Sequence, residues 1–293
     1  MHSVVCIKQT PDSSSVYIDP ITGQVDYERF VQILNPADAC AIEAAVRLKE
    51  QPGGSIMAIT LGPQDAEGAL RAALAIGADT ALRLWNPQAS DWGPFTVAAA
   101  LAACIRRETP EVDLVLCGDT SSDWTSGIVG PALAEKLDLP QITGVMQLNV
   151  VSEQGTDTAK LQVTRKLERG YRELLEAQLP LVMTVTSDLN EPRYPSLPAH
   201  LAALKATIPV IDPLSLIGDA GEAEADETII LEIHTPRPRP RRIAAPDSHH
   251  SAFERIGEII AGGATGRKTS LVEGSPEELA RTLVEFLKER GFV

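Results

Sequence analysis

Short apolar runs alternate with helix-patterned stretches along the first half of this chain, and that alternation excludes most architectures. Ser3 to Lys8 reads as a buried strand, and Ile56 to Leu61, Thr80 to Leu84 and Val112 to Cys117 read as strands. Pro36 to about Gln51, Asp65 to Ile76, Pro94 to Arg107 and Ser126 to Leu137 read as helices. Strands separated by helices of about 10 to 15 residues need crossovers, not hairpins, and so imply a parallel sheet. Local chemistry supports the boundaries. Asn35 can cap, Pro36 suits a first turn, Asp38 favours the helix dipole, and Gly62-Pro63 breaks the second strand. The fold class expected is α/β, a parallel sheet of Rossmann-like type.

After Pro140 the pattern changes. Val145 to Val151 and Lys160 to Leu167 alternate polar and apolar residues around Gly155, which predicts an antiparallel extension of the sheet. A last strand is expected at Leu181 to Val185. Near the start, Tyr17-Ile18-Asp19 and Gln24 to Tyr27 flank Pro20-Ile21-Thr22-Gly23, a hairpin signal. Ile217 to Arg242 has linker character, and helical patterns follow at Ser251 to Ala261 and Pro276 to Arg290. Ser275 and Glu278 form a capping-box pair before the last helix. The expected organisation is an α/β domain over residues 1–205 and a C-terminal arm with helices over residues 206–293.

A formal charge of −14 argues against nucleic acid as a partner. The local exception, Arg237, Arg239, Arg241 and Arg242 interleaved with prolines, reads as a linker or as an arm against an acidic partner. No apolar run approaches the roughly 18 residues of a membrane span. The first eight residues carry no signal-peptide pattern, so a cytoplasmic or similarly reducing location is expected. Cys6, Cys40, Cys104 and Cys117 sit in apolar runs without metal or redox spacing, as buried thiols do. His249-His250 has no carboxylate or cysteine at ligand spacing, so no metal site is expected.

The best ligand site is the stretch Gly118 to Pro131, which follows a parallel strand and leads into a helix. Gly127 lets backbone approach a ligand, Thr125 and Ser126 offer hydroxyls, and a helix start offers unpaired N–H groups to an anion. A polar loop with an ordinary cap is the alternative. Gly262 to Thr269 resembles a phosphate loop only superficially, because Arg267 separates Gly266 from Lys268 and a helix precedes it. No nucleophile elbow or zinc-protease motif is present, and no catalytic residue is marked. A second feature is Leu189 to Pro198. Its prolines, Pro192, Pro195 and Pro198, make it stiff, and Tyr194 and Leu197 ride on it as apolar anchors.

Several ordered segments resemble the β-subunit family of electron-transferring flavoproteins. They are Val4 to Lys8 with Pro11-Asp12, Asn35-Pro36 with Ile42 to Glu50, Leu61-Gly62-Pro63, Leu70 to Asp79, Gly118 to Pro131, and Leu189 to Pro198. Together they cover about residues 3 to 205. The resemblance implies an adenine nucleotide α-hydrolase-like fold. It also implies a heterodimer with an α-subunit that holds most of a redox FAD, and a non-redox AMP buried in this subunit. A subset of the family binds a second FAD in place of AMP and bifurcates electrons. By position, Cys6, Asn35, Leu61, Asp123, Thr125, Ser126, Gly127, Ile128 and Val129 would line the nucleotide site, and Tyr194 and Leu197 would dock partners. Those partners would be acyl-CoA or other flavin dehydrogenases, with a quinone oxidoreductase or similar acceptor downstream. The chain departs from the pattern at Trp124, at Ile128, at Lys166 and in the largely apolar Leu201 to Lys205. A stand-alone nucleotide-binding regulatory protein is the alternative from another class, although Pro140 stands where its loop needs a third glycine. An adenylating enzyme would need a Ser-Gly-Gly-x-Asp-Ser stretch that does not occur.

Overall fold

Val4 and Val5 are both fully buried, yet they face different cores. Along β1 (His2–Cys6), Val5 enters a core shared with α1 (Pro36–Lys49) and α2 (Glu67–Ile76). Val4 and Cys6 enter a second core with α3 (Pro94–Glu108) and α4 (Val129–Leu137). Leu114, Val115, Leu116 and Cys117 of β6 (Leu114–Gly118) alternate the same way. Burial on both faces is why these strands read as unbroken apolar runs.

The computed structural model describes residues 1–17, 30–50, 54–152, 159–217, 251–253, 255–256 and 274–289. The chain divides into two units, Met1–Pro236 and Arg237–Val293. In the first unit, β4 (Ser55–Leu61) and β5 (Thr80–Leu84) lie on one side of β1. β6, β10 (Leu181–Val185), β7 (Gln141–Ser152), β8 (Ala159–Lys166) and β9 (Arg172–Gln178) follow in that order on the other side. The chain steps outward from β1 through β4 to β5, then returns to β6. Right-handed crossovers in opposite directions put their helices on opposite faces of the sheet. The reversal opens a crevice at the carboxyl ends of β1 and β6, where ligands bind in such sheets.

Several elements differ from expectation. The fourth helix starts at Val129 rather than Ser126, because Thr125 (φ 52°) and Gly127 (φ 65°) are left-handed and cannot continue a helix. β9 was not expected, since Arg172-Glu-Leu-Leu-Glu-Ala-Gln178 is rich in helix formers. Pairing with β8 overrides that preference, from Lys160↔Gln178 to Lys166↔Arg172, and packs Leu175 and Ala177 against the core. The expected hairpin at residues 17–27 lies almost wholly outside the described residues. Flanking it, β2 (Gln9–Pro11) pairs antiparallel with β3 (Gln32–Leu34). Leu189 to Ser196 is irregular, but Leu197 and Pro198 open α5 (Leu197–Lys205), in the first turn where a proline loses no hydrogen bond. The sheet then continues past residue 205, with β11 (Val210–Ile211) parallel to β5 and Ile217 of α6 (Leu214–Ile217) buried.

In the second unit, α7 (Pro276–Glu289) carries the expected capping box. The Ser275 backbone N–H donates to Glu278 Oε2 at 2.9 Å and the Glu278 N–H to Ser275 Oγ at 3.4 Å. Residues 252–253 and 255–256 are helical, Ser251 is not, and residues 254 and 257–261 lie outside the described residues. So do the linker from 218, His249-His250 and the Gly262–Thr269 turn. No described helix is long and apolar enough to cross a membrane.

Leu116 sits at the centre of the sheet with no exposed surface. Leu116→Ala should lower unfolding free energy by about 2–5 kcal/mol, the range for a leucine-sized core cavity. Denaturant melts should show a lower midpoint with an unchanged slope.

Candidate functional site

One carboxylate closes the floor of the crevice. Asp38, in the first turn of α1, is almost fully buried. It accepts hydrogen bonds from the backbone N–H of Lys8, just past β1, and of Gly118, at the end of β6, both at 2.7 Å. Burial raises its pKa from the ordinary 3.8 to about 7, and the two backbone donors only partly offset that. The start of α1 is pressed so closely onto β6 that a Cβ on Gly118 would lie 2.5 Å from Asp38 Oδ1 and 2.8 Å from Ala37 Cβ.

Asn35 occupies the capping position but makes no side-chain cap bond. Its amide instead crosses to the loop after β6, donating to Thr120 O at 3.0 Å and accepting from the Ser122 N–H at 3.1 Å. With 2% of its surface exposed, it is a buried peg between helix and loop. Ser122 Oγ donates to buried Thr10 Oγ1 at 2.9 Å, and Lys8 Nζ meets Asp123 Oδ2 at 2.6 Å. Burial alone would raise the Asp123 pKa; the bonds from Lys8 and Ser121 outweigh it and hold the carboxyl below its usual range. Asp123 is therefore an anchored, charge-compensated residue.

The loop so fixed has an unusual backbone. Thr125 is β-branched yet sits at φ 52°, and Gly127 follows at φ 65°. Left-handed residues beside a helix start form the concavities in which backbone N–H groups gather around anions. The next helix begins immediately, and the first-turn N–H groups of Val129 and Gly130 have no partner within it. Gly130 lets α4 approach the sheet: a Cβ there would fall 2.4 Å from Thr184 Cγ2. Thr125 and Ser126 are exposed and Ile128 and Val129 half-buried, so hydroxyls face outward above an apolar wall.

Cys6 and Leu61 lie at or near the ends of β1 and β4 and pack into the α3/α4 core, Cys6 buried and Leu61 half-buried. Burial, with Cys117, Cys104 and Asp38 nearby, pushes the Cys6 thiol well up, and Cys104 rises to about 12. These thiols are apolar wall, not nucleophiles. The strand ends thus gather Cys6, Leu61, Asn35 and the Asp123–Val129 loop along one edge of the sheet. Tyr194 and Leu197 lie elsewhere, after β10, and are 99% and 70% exposed. Leu201 and Leu204 are exposed too, so α5 shows an apolar stripe at i, i+4 and i+7. Sequence reasoning gave Asp38 only a dipole role, passed over Thr10, and placed Ser122 in the candidate loop without a role of its own. An acidic residue inside the otherwise apolar face of a helix was the available signal for Asp38.

The electron transfer flavoprotein domain family matches residues 23–215. Over 93% of its length the chain is 36% identical to an electron transfer flavoprotein subunit beta of Thermoanaerobacterium thermosaccharolyticum, of which 97% is covered. It is 35% identical to Protein FixA of Azotobacter vinelandii, over 88% of this chain and 92% of that one. It is 38% identical to the caffeyl-CoA reductase-Etf complex subunit CarD of Acetobacterium woodii, over 80% of this chain and 88% of that one.

Asp38 makes the fold pH-sensitive. Its folded pKa lies above the ordinary 3.8, so between there and about 7 the folded state holds a proton the unfolded state has lost. Its contribution to stability therefore falls as pH rises through that window. Asp38→Asn should flatten this part of the melting-temperature profile from pH 4 to 7, measured against the native chain.

Proposed function

We propose that this chain, which belongs to the electron transfer flavoprotein family as its β-subunit, seats an adenine nucleotide in the crevice and offers Tyr194 and Leu197 to a flavin dehydrogenase. The observation that carries the nucleotide reading is the loop from Asp123 to Gly130. It sits at the topological reversal of the sheet, is pinned by Asn35, Thr10 and Lys8, and holds two left-handed residues at a helix start. Phosphate fits that chemistry. The N–H groups of Val129 and Gly130 and the hydroxyls of Thr125 and Ser126 would bind it, and Cys6, Leu61 and Ile128 would wall the apolar side. Asp123 is neutralised by Lys8 and so does not itself oppose an anion.

An α-subunit is the expected partner, and FAD shared with it supplies the redox chemistry, while this chain positions and shields. Electrons would pass from an acyl-CoA or other flavin dehydrogenase to a quinone oxidoreductase or similar acceptor, in a cytoplasmic setting. The nucleotide we favour is AMP. A second reading puts FAD in the AMP place, as in the electron-bifurcating subset of the family that the resemblance includes.

The heterodimer, co-expressed with its α-subunit and then denatured, should release one FAD and one AMP. Two FAD and no AMP would favour the second reading. A single FAD with no other nucleotide would sink the site. Gly127→Val should lose the nucleotide while the fold persists, because a β-branched residue resists φ 65° and the loop would reshape.

Leu197→Ala should cost about 2 kcal/mol or more of affinity for the dehydrogenase, as at an interface hot spot. At 70% exposure the side chain adds little to the core, so the melting temperature should hardly move. An unchanged transfer rate with every dehydrogenase tested would rule the docking role out.

A further inference from the structure

Helix α5 lies along α2 but buries little of its own surface. It spans nine residues, a length that is marginal for an isolated helix in water. Ala203 is its one buried residue, and Leu197, Leu201 and Leu204 face outward. It ends without a glycine cap, on Ala206 in extended conformation. Packing along α2 alone therefore does not fix the apolar stripe in space.

Two polar clamps do. At the leading end, Glu43 of α1 is 2% exposed and receives Arg193, which enters from the loop before α5. Arg193 Nε donates to Glu43 Oε2 at 2.8 Å, its Nη2 to Oε1 at 3.2 Å, and its backbone N–H to Oε2 at 3.2 Å. Arg193 Nη1 also donates to Glu50 at 2.6 Å. Arg47 donates both to Glu43 at 2.6 Å and to Glu191 O at 3.2 Å. Burial would raise the Glu43 pKa, but the bonds from Arg193 and Arg47 hold it below its usual range. Nearby, Asn190 Nδ2 donates to Cys40 O at 3.0 Å.

At the trailing end, Arg71 of α2 reaches the end of α5. Its Nη1 donates to Ala203 O at 2.8 Å, Leu204 O at 2.9 Å and Ala206 O at 3.1 Å. Leu204 O is a carbonyl that a helix end leaves unpaired, Ala203 O also accepts from the Ala206 N–H at 3.3 Å, and a guanidinium there suits the helix dipole. Glu67, one turn earlier on α2, orients Arg71 at 3.3 Å.

We propose that Glu43 and Arg71 are positioning residues that hold Arg193 to Ala206 as one rigid handle before any partner arrives. The inference rests on the docking role given above to Tyr194 and Leu197. Holding the stripe in place removes the ordering cost of binding, so the clamps act on affinity and leave the flavin chemistry alone.

The test uses the heterodimer with its α-subunit and a flavin dehydrogenase that reduces it, starting with an acyl-CoA dehydrogenase and its acyl-CoA. Flavin absorbance is followed while the heterodimer concentration varies. Arg71→Ala and Glu43→Gln should each raise KM for the heterodimer by about tenfold at unchanged kcat, since saturating partner still orders the element. Hydrogen exchange of the α5 amides should speed up in Arg71→Ala and not in Leu197→Ala. Arg71→Lys should recover part of the KM, because an ammonium can still cap carbonyls. If Glu43→Gln proves unstable by thermal melt, Arg193→Lys replaces it, with a smaller rise in KM expected. Faster α5 exchange with unchanged KM would overturn the proposal, as would unchanged exchange. Leu197→Ala separates the two levels: if it raises KM and the clamp variants do not, only the clamps fail. If Leu197→Ala also leaves KM unchanged, the docking role falls and the handle with it.

Discussion

A buried carboxylate shared by two strand ends is the constraint on which the rest of this structure depends. Asp38 takes the N–H of Lys8 and the N–H of Gly118 at once, and so ties β1 to β6 where the sheet reverses. Those groups would otherwise point out of the sheet unpaired, since the strands end there. The tie also seats the start of α1 against Gly118, with no room for a side chain. The carboxyl is held in spite of its burial, which is why its proton affinity rises. The crevice is thus shaped at some cost in stability, as often happens at functional sites.

Helix α1 then serves two surfaces. At its start, Asn35 just before the helix and Asp38 in its first turn fix the loop after β6 and the strand ends. Its later turns, through Cys40, Glu43 and Arg47, hold the segment that leads to Tyr194 and Leu197. Because α1 packs on the sheet through fully or nearly fully buried Ala41, Ile42 and Ala45, both surfaces are referred to one rigid body. The proposed nucleotide would in this view have a structural task. It would complete the crevice beside the helix that orients the segment carrying Tyr194 and Leu197, and the redox flavin would be held elsewhere.

Much of this was legible in the sequence. The alternation of apolar runs and helical patterns specified a parallel sheet, and β1, β4, β5, β6 and β10 lie close to where periodicity put them. The Gly/Ser/Thr-rich stretch after Cys117 marked the loop, because left-handed turns and helix starts have compositional signatures. The capping box at Ser275 was readable for the same reason. β9 was not, because its composition favours helix and its strand form exists only through pairing with β8. Nor was the start of α4 at Val129, which hangs on the backbone angles of Thr125 and Gly127.

What the sequence determined by itself were properties set within a few residues: which segments are helix or strand, which faces are apolar, and where a stiff proline-framed segment carries Tyr194 and Leu197. What only the tertiary structure decided were partners far apart in the chain. Asn35 looked like a cap and became a peg for a loop 85 residues on. Asp38 looked like a dipole partner and became a bridge to a strand 80 residues on. Arg71 caps a helix more than 130 residues away. The physical reason is that propensity and periodicity act through neighbours, whereas a buried polar group takes whichever partner the crossovers bring within hydrogen-bond reach.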